Sequence, residues 1–188
     1  MDVNFCRILS YIFLVFLCSD VSAQKDTTFT VFKYENGIVS SEGTMVGGIP
    51  DGYWKTFYSN SQLKTEGNRK NLLLDGLWKF YRETGELEST INYAVDKRNG
   101  ITSIFSVEGD LLSEEPFVDD LKQGIGKFYY KSGELYREVP FVDNKEQGKG
   151  KEFGKDGRII TLINYNQGYI KSLERINRFN KSDQKKGL

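Results

Sequence analysis

Residues 51–74 read DGYWKTFYSNSQLKTEGNRKNLLL, and residues 75–98 answer them in register with DGLWKFYRETGELESTINYAVDKR. Working outward, the opening glycine recurs at Gly52, Gly76, Gly100, Gly124 and Gly148, each 24 residues after the last. A second glycine sits nine positions on, at Gly85, Gly109, Gly133 and Gly157, with Ser61 as the exception and Gly37 in phase upstream. A third column, Gly48, Leu72, Asp96, Asp120, Asn144 and Gly168, is mostly of residue types that tolerate positive φ. Self-similarity at a fixed period of about 20 to 50 residues is the signature of a repeat architecture. Six copies run from about Thr28 to Lys171, with Ser172 at the next opening position.

Within a copy the apolar residues alternate, as in Leu87, Ile91 and Tyr93 or Leu135, Val139 and Phe141. A period of two is that of a strand. Turn sequences such as Glu35-Asn36-Gly37 and Lys155-Asp156-Gly157 then split each copy into a hairpin. A two-residue turn sets Lys55 opposite Glu66, Lys127 opposite Glu138, Trp54 opposite Gly67 and Trp78 opposite Ile91. The expected fold is all-β: an elongated, single-layer antiparallel meander of about twelve strands, nearly 60 Å long at strand spacing. The column Phe57, Tyr81, Phe105, Tyr129, Phe153 is expected to glue neighbouring hairpins.

The two ends read differently. Ile8–Leu17 is a short apolar run after Arg7, followed by Val21-Ser22-Ala23, which reads as a secretory signal peptide over residues 1–23. The run is too short for a membrane span of about 20 residues. Lipid attachment at Cys18 is the weaker reading, because bulky Leu17 precedes it. The repeat array is assigned to 24–171. A cap and polar tail are assigned to 172–188, with Ser172 capping a short helix that carries Leu173, Ile176 and Phe179 on one face.

Composition narrows the function. The 26 Lys and Arg balance 26 Asp and Glu, so no basic excess favours nucleic acid. The chain has no histidine, and its two cysteines, Cys6 and Cys18, fall in the leader, which argues against zinc, thiol chemistry and histidine-based catalysis. No metal site or cofactor is expected. Glu114-Glu115 and Asp119-Asp120 pair carboxylates in sequence, but a single-layer sheet offers little cleft to raise a carboxyl pKa. The chain therefore reads as non-enzymatic. The glutamates Glu42, Glu66, Glu114 and Glu138 share one column, and opposing lysines are expected to neutralise them.

Gly52-Tyr53-Trp54-Lys55 with Phe57, Gly76-Leu77-Trp78-Lys79 with Phe80 and Tyr81, and the Gly-Glu-Leu turns at Gly85 and Gly133 resemble the MORN repeat. They resemble most closely the bacterial variant labelled YwqK-type antitoxins. The resemblance implies an open hairpin meander used as a scaffold or binding surface, with no catalytic residues to carry over. The tryptophan column lapses to Thr102, Gly126 and Gly150 in later copies, so an aromatic stripe cannot run the full length. The leading expectation is an exported, periplasmic or extracellular scaffold that binds a protein partner, or itself through edge strands, with Trp54, Trp78 and Phe80 as the binding residues. Two alternatives stand beside it. One is a periplasmic immunity or antitoxin-like protein capping a toxin. The other is an envelope lipid- or glycan-binding module, with membrane contact through the basic tail.

Overall fold

The computed structural model describes residues 26–176. The leader assigned to residues 1–23 and the tail beyond residue 176 lie outside the described residues. The strands are β1 (Thr27–Lys33), β2 (Val39–Val46), β3 (Ile49–Phe57), β4 (Leu63–Lys70), β5 (Leu73–Tyr81), β6 (Leu87–Ala94), β7 (Lys97–Phe105) and β8 (Leu111–Val118). They continue as β9 (Leu121–Lys122), β10 (Gly124–Tyr129), β11 (Leu135–Val142), β12 (Lys145–Glu146), β13 (Gly148–Phe153), β14 (Ile159–Asn166) and β15 (Tyr169–Arg175). All join one open antiparallel sheet in sequence order, with short β9 on β8 and short β12 on β11. The fifteen strands exceed the dozen expected because β9–β10 and β12–β13 are each one strand interrupted, and because β15 is additional.

Two turn types alternate along the chain. Inside each hairpin a carbonyl accepts from the N–H three residues on, as Gly37 N to Tyr34 O at 2.9 Å, and the flanking residues close the loop, as Tyr34 N to Ile38 O at 2.8 Å. This is a three-residue turn with its last position left-handed, φ +83° at Gly37 and +70° at Ser61. Between hairpins the two central residues both have positive φ, as at Asp119 (48°) and Asp120 (69°), which is the two-residue turn whose twist matches the strands. These turns dock on one another. Asp120 N donates to Arg98 O at 3.0 Å and Asp120 Oδ1 accepts from Arg98 N at 3.0 Å; Asn144 repeats the arrangement on Lys122. The other flank is tied by tyrosines, with Tyr34, Tyr58 and Tyr130 donating to the carbonyls of Phe57, Tyr81 and Phe153 at 2.6 to 2.8 Å.

The pairings expected from sequence all occur: Lys55 faces Glu66, Lys127 faces Glu138, Trp54 faces Gly67 and Trp78 faces Ile91. The two-residue hairpin turn assumed in deriving them does not. The real turn is one residue longer, and a bulge beside it, where Thr56 pairs Thr65 but Phe57 pairs Leu63, restores the register. The two departures cancel in the body of the sheet.

The helix expected from Ser172 is corrected over residues 172–175, which are strand, while Phe179 lies outside the described residues. Ser172 pairs with Asn164 inside β15, Leu173 with Ile163, and Ile176 N donates to Ile160 O at 2.8 Å. The physical reason is the open edge of β14, whose unpaired backbone groups are satisfied by another strand and not by a helix. Ser172 keeps the phase of the opening glycines, and β15 stands where an opening strand of the repeat would.

Val95 is a solvent-exposed, β-branched residue held at φ +54°, where the same column has Asn71 at +50°. Left-handed backbone costs a side-chain-bearing residue about 1 to 2 kcal/mol, least for Asn. Val95→Asn is expected to raise stability by about 1 kcal/mol in urea titrations; an unchanged or lower midpoint contradicts strain at this turn.

Candidate functional site

The sheet has two unlike faces. Trp54 and Trp78, expected to stand open to a partner, are buried, with 5% and 2% of their surface exposed. This corrects their reading as presented binding rings. Each lies flat over a glycine of the preceding strand: a Cβ on Gly43 would fall inside the Trp54 ring, and one on Gly67 inside the Trp78 ring. Trp78 Nε1 donates to Asn68 O at 2.8 Å, and the Arg69 guanidinium covers the ring at 5.4 Å from its centroid. Phe32 packs on Trp54 at 6.3 Å between centroids. Phe80, on the same face, is half-buried between Thr65 and Ser89. Where the tryptophans lapse, the packing inverts. Gly126 and Gly150 become the floor, with Phe141 and Tyr165 rings 2.9 and 2.7 Å from where a Cβ would be. Val139, Phe141, Ile163 and Tyr165 form the buried core there. Arg98 covers Phe117 at 4.1 Å and Lys122 covers Phe141 at 4.8 Å, and these cations are themselves paired, with Asp120 at 3.0 Å and Glu115 at 2.7 Å.

The opposite face carries the glutamate column. Tyr53 and Tyr81 each donate a hydroxyl to Glu66 at 2.7 Å, Lys79 reaches it at 3.4 Å, and Tyr129 donates to Glu114 at 2.6 Å. Lysines do pair with the column, but from the following strand: the ion pairs are Lys79 with Glu66 and Lys151 with Glu138, each in register there, and not Lys55 and Lys127 of the preceding strand. Burial pushes the Glu66 carboxyl up, but its three donors together outweigh burial and hold it below the usual carboxylate value. Burial, and then the bond to that carboxylate, pushes Tyr53 up to about 12. Tyr129 reaches about 12 by burial and its bond to Glu114. The carboxylate pairs singled out in the sequence are not brought together. Glu114 and Glu115 are consecutive strand residues on opposite faces, and Asp120 is occupied in the turn. No group of three or more His, Cys, Asp or Glu side chains converges as a metal site among the described residues.

This face also carries a row that the tryptophans overshadowed in the sequence. Phe29, Tyr53, Leu77, Ile101 and Ile125 each follow the opening position by one residue, and all are exposed, from 41% at Ile101 to 67% at Phe29. Two strands separate successive members, so they stand about 10 Å apart and span about 40 Å. Between them lie Thr44, Asn68, Asn92 and Pro116 as cross-strand neighbours, none of them charged, and Pro140 flanks Ile125 beyond the last member. The signal was the same 24-residue spacing that located the glycines.

An open sheet of serial hairpins, sealed on one face and displaying an apolar row on the other, defines a β-hairpin repeat protein. Three stretches, residues 50–71, 74–94 and 122–143, match the MORN repeat variant family, and the chain thus carries MORN-type repeats. Comparison with curated proteins gives no match.

The hydroxyl–carboxylate bonds set a pH dependence. Tyr53 and Tyr129 have folded pKa values raised above the ordinary value near 10, so their contribution is intact below about pH 10 and is lost as pH rises through about 12. Glu66 is lowered, so its contribution is present above the ordinary carboxylate value and is lost as pH falls through the folded one. In alkaline titration followed by phenolate absorbance, Glu66→Gln should lower Tyr53 from about 12 by the part that the carboxylate supplies, burial keeping it above the ordinary value, and leave Tyr129 near 12. Identical curves for the two proteins would contradict the assignment.

Proposed function

We propose that this chain is an exported, non-enzymatic scaffold built of six 24-residue hairpin copies plus the first strand of a seventh, and that it binds a protein partner through the face bearing Phe29, Tyr53, Leu77, Ile101 and Ile125. The observation that carries the reading is that row. Five large side chains, four of them wholly apolar, stand exposed in line at the repeat spacing, and exposed apolar surface grouped on one face marks interaction sites. The ladder of Tyr–Glu and Lys–Glu bonds beside it supplies a polar rim of fixed geometry, as binding surfaces have. The sealed Trp54 and Trp78 then act as the support that holds the row's strands in register. Export rests on the leader-like residues 1–23.

A periplasmic immunity role, in which the same face caps a toxin domain, is the second reading. It is favoured by the Gly-Glu-Leu turns at Gly85 and Gly133 that resemble the bacterial antitoxin-type variant. The two readings differ only in the partner.

Leu77→Asp with Ile101→Asp places charges at exposed positions, so the fold should persist with an unchanged far-ultraviolet spectrum and thermal midpoint. Partners captured from the host by the tagged chain should be lost at least about tenfold, since two buried carboxylates cost more than the 1.4 kcal/mol that tenfold requires. Capture that survives the double substitution in a folded protein would remove the row as the binding face.

A further inference from the structure

Glu42 shares its column with Glu66, Glu114 and Glu138, and it is the member that no donor reaches among the described residues. The repeat supplies the reason. Glu66 is held by the hydroxyls of Tyr53 and Tyr81, and the residues in those positions one repeat earlier are Phe29 and Phe57, which have none. Lys55 lies across the strand pair from both Glu42 and Glu66, and it is ion-paired with neither among the described residues. Phe57 takes the place beside Glu42 that Tyr81 takes beside Glu66, and with Gly37, Ile38, Val39, Glu42 and Ser61 it lines a cavity of about 410 Å³.

The chemistry of that cavity is specific. Its walls are Ile38, Val39 and the Phe57 ring; its one ionisable group is the Glu42 carboxyl. A half-buried carboxylate without donors is left short of the hydrogen bonds that every other glutamate of the column has. A planar cation on an apolar stem satisfies all three elements together: it gives the carboxylate two parallel donors, stacks on an aromatic face, and lays its methylenes along aliphatic side chains. We propose that this cavity binds an arginine side chain presented by another polypeptide, with Glu42 as the acceptor and Phe57 as the stacking wall. Glu42 and the apolar row lie on the same face, with Phe29 and Tyr53 on the strands flanking β2, so one partner chain can engage both. As a statement about the partner the proposal rests on the function proposed above; the recognition of the side chain does not, and a small probe tests it alone.

The probe is N-acetyl-arginine amide, with N-acetyl-citrulline amide as its uncharged isostere, titrated into the isotope-labelled chain and followed by amide shifts. Saturable shifts confined to Gly37–Val39, Glu42 and Phe57, in the millimolar range, are expected for arginine. Citrulline, or Glu42→Gln with arginine, should bind at least about tenfold more weakly. Phe57→Tyr should give Glu42 the hydroxyl that Tyr81 gives Glu66, closing the site and abolishing the shifts in a protein that melts no lower than the parent. Equal binding of citrulline, equal binding by Glu42→Gln, or no saturable shifts with arginine would overturn the proposal. Loss of partner capture in the Leu77/Ile101 variant with arginine binding retained would support both readings. Retained capture with arginine binding intact would remove only the row.

Discussion

The structure depends on rings laid over glycines. A single-layer sheet has no second layer to cover its inward residues, so each must be covered by neighbours on its own face. Trp54 over Gly43 and Trp78 over Gly67 do this by lying flat where a side chain is missing, close enough that any Cβ would have to displace the ring. When the sequence gives up tryptophan at Gly126 and Gly150, Phe141 and Tyr165 turn over those glycines, and Val139 and Ile163 fill the strand beside them. The column that supplies the ring changes, but the rule that a ring needs a floor does not. Arg69, Arg98 and Lys122 then roof the rings, giving a thin core with a charged lid.

Sealing one face leaves the apolar row exposed on the other. The Tyr–Glu–Lys ladder uses its polar groups internally, which fixes the strands and lets the exposed row of Phe29, Tyr53, Leu77, Ile101 and Ile125 stand on a rigid support. Both flanks are tied from one hairpin to the next, by the docked turns at Asp120 and Asn144 and by the tyrosines Tyr34, Tyr58 and Tyr130. The stability of such an array is nearly a sum of neighbour terms, so a preformed surface extends the length of the sheet without a globular core.

Much of this was legible in the sequence, for a physical reason. Side chains alternate with a period of two and the repeat length is even, so the face and partner of each residue recur unchanged from copy to copy. Lys55 opposite Glu66 and Trp78 opposite Ile91 followed from an assumed two-residue turn, and they hold although the turn is one residue longer, because the bulges at Phe57 and Tyr81 compensate. The helix at Ser172 was misread because three apolar residues at helical spacing are weak evidence beside an unpaired strand edge. The burial of Trp54 and Trp78 was hidden for a different reason: Gly67 was read only as the in-register partner of Trp54, whereas the rings collapse onto the glycines of the preceding strand, Gly43 under Trp54 and Gly67 under Trp78. The apolar row shared the glycines' period but was masked by the larger rings one residue along.

The ring-and-floor constraint is tested most directly by a double-mutant cycle between Gly67 and Trp78, read by urea unfolding. Gly67→Ala should cost about 1 to 3 kcal/mol in the parent, as overpacking does, and should be neutral or stabilising in Trp78→Ala, where the ring is gone and alanine relieves the entropy of a strand glycine. Equal costs in the two backgrounds would contradict the account, because the glycine would then serve the backbone and not the ring.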